Sequence, residues 1–263
     1  MGEGNVLAQP LIPLWLIFLL TAGIAFLSME LGFALGQRRR RREEGDVHEE
    51  SRAASGALLG FLAFVLAISF GNQASRFDDY RSLGVEEANA IQKAWLDAEW
   101  VPSPHRETFR AGLEKYVDQR IEMLRADAFE DLLQRSNQLH EQLWNDLKTA
   151  VRETGLNKPL EQLSGSLVQV RMLHNERVAV GLIERMHPVA WMTLVTLMVL
   201  SMGSMGYSAG IAGSRRTGIR IVVALSFSIL VTIVADLNRP ETGRISVDQQ
   251  PLEVVRARMI SEP

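Results

Sequence analysis

The stretch AASGALLGFLAFVLAISFGNQAS, residues Ala53 to Ser75, decides the fold because it contains no charged side chain. A helix needs about 20 mostly apolar residues to cross the hydrocarbon core of a bilayer, and this stretch is long enough. The block that follows, Arg76 to His187, is rich in Glu, Asp, Arg and Gln and lacks an apolar run of that length. The pattern predicts a membrane span that ends near Ser75 and leads into a water-exposed domain.

Three further segments have the same apolar character. Only one charged residue, Glu30, occurs between Pro10 and Gln37, and the other two segments carry none. The sequence therefore predicts an all-α membrane protein with four transmembrane helices and an extramembrane helical bundle inserted between the second and third spans. The predicted parts are a first transmembrane hairpin in residues 1–75 (spans 11–36 and 53–75), the helical domain in 76–187, a second hairpin in 188–237 (spans 188–213 and 219–237), and an extramembrane tail in 238–263.

The overall composition hides this division. Of the 263 residues, 47% are hydrophobic and 22% are charged, and the formal net charge is −3. This near-neutral charge, without a basic aromatic surface, gives no reason to expect nucleic acid as a partner. The chain contains no cysteine, which excludes disulfides and thiolate chemistry.

Arginines in two short loops predict the orientation of the spans. Short loops rich in Lys and Arg stay in the cytoplasm, whereas long domains are translocated largely regardless of charge. The loop from Gln37 to Arg52 holds Arg38, Arg39, Arg40, Arg41, Arg42 and Arg52, and the loop from Ser214 to Arg220 holds Arg215, Arg216 and Arg220. Both loops are therefore expected in the cytoplasm, and the helical domain and both termini on the outer side of the inner membrane.

The polar block is predicted to be helical. No proline interrupts Ala53 to Trp100, so the second span is expected to continue as one helix of about 48 residues, roughly 72 Å long. Prolines 102 and 104 then end it. In the next helix, apolar residues recur every three or four positions and predict one face packed against other helices. These residues are Phe109, Leu113, Tyr116, Val117, Ile121 and Leu124.

Pairs of glycines four residues apart occur in three of the spans. Such pairs allow two helix backbones to approach each other closely. They are Gly32 and Gly36, Gly56 and Gly60, and Gly206 and Gly210. The spacing is compatible with helix contacts within one chain and with contacts between subunits.

Glu30 is an acid within the first apolar segment, and intramembrane acids are functional candidates by default. A helix from Leu11 to Gly36 would be about 39 Å long against an apolar core of about 30 Å, so it must tilt or protrude. Glu30 precedes Arg38 by eight residues, which brings it within reach of the headgroups, water or an arginine. The sequence is compatible with that position, with a buried structural pair and with a role in an ion path.

An ordered set of short motifs resembles the bacterial bestrophin-like domain family. The motifs are Glu30-Leu31-Gly32 before the arginines, Arg76-Phe77-Asp78 after the second span, Glu86-Glu87-Ala88-Asn89 beyond it, and Asp236-Leu237-Asn238-Arg239-Pro240 after the fourth span. Together they cover the chain from roughly residue 20 to residue 260.

The resemblance implies a passive ion channel in the bacterial inner membrane, because bestrophins are homopentameric channels with a pore lined by the second span. The implied partners are the lipid bilayer, further copies of the chain and inorganic ions, and no cofactor is implied. Two features depart from bestrophins: the arginines place the helical domain outside the cytoplasm, and no dense acidic cluster supports calcium gating. The alternative is a non-conducting membrane scaffold or sensor whose helical domain binds a partner.

Two faces of the second span are candidates for lining a pore, since apolar rings can gate by dewetting. Side chains four residues apart share a face. One face carries Phe64, Ile68 and Asn72, and the other carries Leu62, Leu66 and Phe70. The spacing does not choose between these faces. Because any apolar span contains residues spaced in this way, contact with lipid or with other helices is the simpler explanation for either face.

A charged collar is predicted just beyond the second span. Its residues are Arg76, Asp79, Glu86, Glu87 and Asn89. The two interpretations are a solvated helix surface with ion pairs between subunits, and a ring that selects ions.

Enzyme chemistry is not expected. The five histidines show no paired metal-ligand spacing, and the chain has neither a phosphate-binding glycine loop nor a nucleophile motif. No metal site is predicted, and His174 is interpreted as a helix-surface residue.

Overall fold

The computed structural model describes residues 12–42, 48–123, 129–183, 186–213, 217–240, 244–245 and 247–261. Within these ranges all regular structure is helical. The helices are α1 (Leu14–Arg40), α2 (His48–Glu99), α3 (His105–Met123), α4 (Phe129–Thr154), α5 (Lys158–Val178), a π-helical turn (Ala179–Ile183), α6 (Pro188–Ala212), α7 (Thr217–Leu237) and α8 (Gln250–Ser261). Four of them, α1, α2, α6 and α7, are long and apolar enough to cross a membrane. The predicted all-α membrane fold is confirmed.

The chain forms two compact units. Among the described residues, the membrane unit lies within 10–75 and 186–239, and the extramembrane unit lies within 76–185 and 240–263. Helix α2 contributes to both units, and the division falls between Ser75 and Arg76. The C-terminal segment, which the sequence pattern separates as a tail, belongs to the extramembrane unit.

In the membrane unit, glycines bring α1 and α6 into backbone contact. A methyl group added to Gly32 would lie 2.0 Å from the carbonyl oxygen of Gly203, and one added to Gly206 would lie 2.0 Å from that of Met29. Gly36 and Gly210 are similarly enclosed. These two glycine pairs therefore serve packing within one chain.

Helix α2 packs in the membrane unit through leucines and serines. Leu62 and Leu66 belong to a buried apolar cluster with residues of α1, α6 and α7, including Met29, Met198 and Val231. Near the first turns of α2, the hydroxyl groups of four serines form hydrogen bonds of 2.5–2.9 Å between α2 and α6; these are Ser51, Ser55, Ser204 and Ser208. A hydroxyl in an apolar medium needs such a partner, so the serines fix the register of the two helices.

In the extramembrane unit, one core joins five helices. Phe109, Leu113 and Val117 of α3 are completely buried, which confirms the predicted apolar face of that helix. Helix α8 adds apolar side chains to the same core. It is also tied to α3 by Arg256, which donates a hydrogen bond of 3.0 Å to Asp118. Leu124 lies outside the described residues.

The membrane unit resumes at Met186, and helix α6 begins at Pro188. His187 precedes α6, and its Nδ1 accepts a hydrogen bond from the backbone N–H of Val189. The side-chain oxygen of Asn238 accepts a hydrogen bond of 2.8 Å from the backbone N–H of Met186. The start of α6 and the end of α7 are thereby joined.

Candidate functional site

The two candidate faces of α2 differ sharply in exposure. Leu62 and Leu66 are 0% and 3% exposed, whereas Phe64 and Ile68 are 61% and 48% exposed. Asn72 is also exposed, as is Phe70. The suggestion that Leu62 and Leu66 line a pore is therefore wrong, because both side chains fill the core of their own chain.

The exposed face of α2 also differs in composition from the exposed faces of α1 and α7. Those helices present mainly long aliphatic side chains, for example Leu27, Leu31, Val222 and Ile229. Between Ala53 and Ser75, the exposed positions of α2 are Ala53, Ala54, Gly56, Ala57, Gly60, Phe61, Ala63, Phe64, Ala67, Ile68, Phe70, Gly71, Asn72 and Ser75. Small residues favour close helix contacts, and polar groups favour water over lipid tails. This face is less suited to lipid than the other two.

Gly56 and Gly60 lie on this face of α2. A methyl group on either glycine would meet nothing within 4 Å. Unlike the other two glycine pairs, this pair makes no close contact with the part of the chain that the structure describes.

Glu30 is paired with an arginine, but the partner is distant in sequence. The Arg220 guanidinium donates a hydrogen bond of 2.7 Å to Glu30, and it lies 5.1 Å from the centre of the Phe33 ring. The Arg220 side chain is only 4% exposed, whereas that of Glu30 is 38% exposed. The arginine thus neutralises the acid and links α1 to α7.

The predicted charged collar divides into exposed and buried residues. Asp79, Glu86 and Asn89 are exposed on α2. Arg76 is 8% exposed, and Glu87 is completely buried. The collar prediction is therefore wrong for Glu87: consecutive helical residues point about 100° apart, and Glu87 faces the core of the extramembrane unit.

Glu87 is the centre of a buried charge cluster with Tyr116, Arg120, His174 and Arg177. Its carboxylate accepts hydrogen bonds of 2.8 Å from Arg120, 2.9 Å from Arg177 and 2.8 Å from the Tyr116 hydroxyl. Arg177 also lies 4.7 Å from the centre of the Tyr80 ring and packs against Gly84, where a larger residue would crowd the guanidinium. The cluster ties α2 to α3 and α5.

His174 extends the charge cluster and is completely buried, so its interpretation as a surface residue is wrong. Its Nδ1 lies 3.2 Å from the Tyr116 hydroxyl oxygen. Since that hydroxyl donates its proton to Glu87, Nδ1 must carry the proton in this contact. His140 packs beside both rings, with centroids 4.7 Å from Tyr116 and 5.1 Å from His174.

Burial and neighbouring charges together shift the pKa values of Glu87, His140 and His174. Burial alone would raise the pKa of Glu87, but Arg120, His174 and Arg177 outweigh it and hold the pKa well below its ordinary value. Two arginines against one carboxylate already leave a net positive charge. Burial, together with the neighbouring His174, lowers the pKa of His140 to about 3. Burial also lowers the pKa of His174.

Acid is expected to destabilise the extramembrane unit through His140. An unfolded histidine takes up a proton below a pKa of about 6.5, whereas folded His140 stays neutral down to a pKa of about 3. The unfolded state therefore binds more protons in this window, and stability falls as the pH falls. Between pH 7 and pH 5 this group should reduce the free energy of unfolding by about 2 kcal/mol.

The measurement is amide hydrogen exchange of α4 and α5 at the two pH values, corrected for the intrinsic exchange rate. In the variant His140→Gln, the part of the loss due to this residue should disappear, while that due to His174 stays. An equal loss in both proteins would show that His140 does not titrate in this way.

The sequence did contain a signal for the charge cluster. In α3, Arg120 continues the three- and four-residue spacing of Phe109, Leu113 and Tyr116. In α5, the buried residues are Leu160, Leu163, Ser166, Leu167, Val170, Leu173, His174 and Arg177. Both arginines thus occupy positions where the helical period predicts burial, and a buried arginine requires an acid partner.

No group of three or more His, Cys, Asp or Glu side chains with metal-binding geometry occurs in the described part of the chain. His174 and His140 instead contact Tyr116 and each other.

Comparison with known proteins identifies the family. The Bestrophin-like domain matches residues 19–252. No curated protein matches the chain significantly. Similar solved structures include a variant of a membrane protein, at 12% identity and a TM-score of 0.69, covering 94% of this chain and 97% of that one.

Two variants of a bacterial bestrophin homologue from Klebsiella pneumoniae are also similar in fold. One has 13% identity and a TM-score of 0.67, covering 91% of this chain and 97% of its own. The other has 11% identity and a TM-score of 0.67, covering 94% and 98%. At these identities the solved structures support the fold alone. The family is shown by the domain match, which covers most of the sequence. The chain is a membrane protein that belongs to the Bestrophin-like domain family.

Proposed function

We propose that the protein assembles with copies of itself around α2 and conducts ions passively through a central pore. The observation that carries this proposal is the exposed face of α2, which combines Gly56 and Gly60 with Phe64, Ile68 and Asn72. The family resemblance supports a ring of five subunits, with bestrophins as the precedent.

The chemistry of this face suits a narrow pore. Small residues let neighbouring α2 helices approach closely. In a ring, Phe64 and Ile68 would form two apolar constrictions one helical turn apart, which can close by dewetting. Asn72, one turn further along, would offer an amide to a hydrated ion. This order of groups is compatible with either cations or anions.

The arginine-rich loops support an orientation with the helical domain outside the cytoplasm. Nine arginines lie between the paired apolar segments of the sequence, at 38–42, 52, 215, 216 and 220, and arginines in short connections of this kind stay on the cytoplasmic side. In this arrangement the Glu30–Arg220 pair lies towards the cytoplasmic ends of α1 and α7. It serves as a structural link between these helices.

Electrical recording of the purified protein tests the function. In planar bilayers, the variant Phe64→Ala is expected to conduct severalfold more current than the wild type, because a smaller side chain widens and wets the constriction. The matched control is Phe26→Ala, which removes an exposed phenylalanine from α1 (41% exposed, against 61% for Phe64) and should leave the current unchanged.

Native mass spectrometry of the same preparations gives the stoichiometry. A monomer or dimer contradicts the pore, because α2 helices from so few chains cannot enclose one. A stable ring that carries no current in the wild type or in Phe64→Ala favours the alternative, a membrane scaffold or sensor.

A further inference from the structure

A concave pocket opens between α4 and α5 in the extramembrane unit. Its volume is about 180 Å³, enough for a molecule built on a single aromatic ring. Apolar side chains form most of its wall, including Trp144, Val168 and Met172. All three are substantially exposed, although the pocket lies beside a well-packed core. Trp144 offers the flat face of an indole ring to a ligand.

The polar groups of this pocket select for negative charge. Arg171 and Asn175, four residues apart on α5, lie on one face of the helix and both line the pocket. No carboxylate lines it among the described residues. An arginine beside an apolar wall binds planar anions well, because its guanidinium forms paired hydrogen bonds to a carboxylate.

His140 closes the inner end of the pocket. It is 6% exposed and is a lining residue. Burial and the neighbouring His174 keep it neutral by lowering its pKa. The positive charge available to a ligand therefore comes from Arg171 at the rim, and the floor is an uncharged ring. A ligand with an apolar body at the floor and a carboxylate at the rim would complement this arrangement.

We propose that the pocket between α4 and α5 binds a small organic anion with a flat apolar body, held by Trp144 and Arg171. Ligand pockets commonly combine an apolar wall with a few convergent polar groups, as this one does. The inference concerns the extramembrane unit alone and does not depend on ion conduction.

The test uses the full-length protein in nanodiscs and three probes of similar shape: benzoate, neutral benzamide and cationic benzylamine. Saturation-transfer nuclear magnetic resonance and calorimetric titration measure binding. Benzoate is expected to bind most tightly and benzylamine least. The variant Arg171→Gln should weaken benzoate binding about tenfold, the loss of one charge-assisted interaction, and should leave benzamide unchanged.

Two further variants complete the test. Arg135→Gln removes an exposed arginine of α4 that does not line the pocket, and it should bind benzoate like the wild type. Met172→Trp alters an exposed residue and should abolish binding of all probes by filling the pocket. Equal binding of benzoate and benzamide, no effect of Arg171→Gln, or full binding in Met172→Trp would each overturn the proposal, whatever the bilayer recordings show.

Discussion

Replacing Glu87 with alanine is expected to lower the free energy of unfolding of the extramembrane unit by about 3–5 kcal/mol, the usual cost of breaking a buried ion pair. The variant leaves Arg120 and Arg177, which are 3% and 2% exposed, without the carboxylate that neutralises them. It also removes the acceptor of the Tyr116 hydroxyl. The interaction with Tyr80 offsets only part of the loss for Arg177.

The adjacent residue supplies the matched control. Glu86 is exposed, and its contact is a hydrogen bond of 3.2 Å from Ser82. Glu86→Ala should change stability by less than about 0.5 kcal/mol, as surface substitutions usually do. Amide hydrogen exchange of α3 and α5 in the full-length protein measures both effects locally. If the amides of α3 and α5 are equally protected from exchange in Glu87→Ala and in Glu86→Ala, the buried charge cluster does not stabilise the unit.

Glu86 and Glu87 also show where sequence reasoning succeeds and fails. The continuous helix was predictable, because the absence of proline and the long helical pattern are local properties; α2 indeed extends from His48 to Glu99. Which of two adjacent glutamates is buried depends on the helices that pack beside them. The arginine partners of Glu87 lie 33 and 90 residues away in the chain, and no local pattern pairs them with it.

The membrane unit gives the same lesson. Spacing placed Leu62 and Phe64 on two different faces of α2, but only packing against α1, α6 and α7 determines which face is internal. Likewise, an arginine partner for Glu30 was one of the expected arrangements. Its identity as Arg220 requires the contact between α1 and α7, 190 residues apart. Helical periodicity predicts faces, whereas their partners follow from the tertiary fold.

The contact between α1 and α6 supplies the second large expected effect. Gly206→Ala should separate these helices, because the new methyl group would lie 2.0 Å from the carbonyl oxygen of Met29 and 2.9 Å from its Cα. These are backbone atoms, so relief requires a movement of the whole helix. Overpacking of this kind costs about 1–3 kcal/mol and sometimes more. The variant is expected to lose its folded, monodisperse form in detergent at a clearly lower temperature.

Gly23→Ala is the matched control, since Gly23 lies on α1 and its added methyl group would meet nothing within 4 Å. Alanine is the better helix former by roughly 0.5–1 kcal/mol, so this variant should be as stable as the wild type or slightly more stable. Replacing glycine with alanine is thus expected to lower the stability at Gly206 and to keep or raise it at Gly23. Equal thermal stability of the two variants would mean that α1 and α6 do not touch through Gly206. A loss confined to Gly206→Ala would show that α1 and α6 are in backbone contact through Gly206.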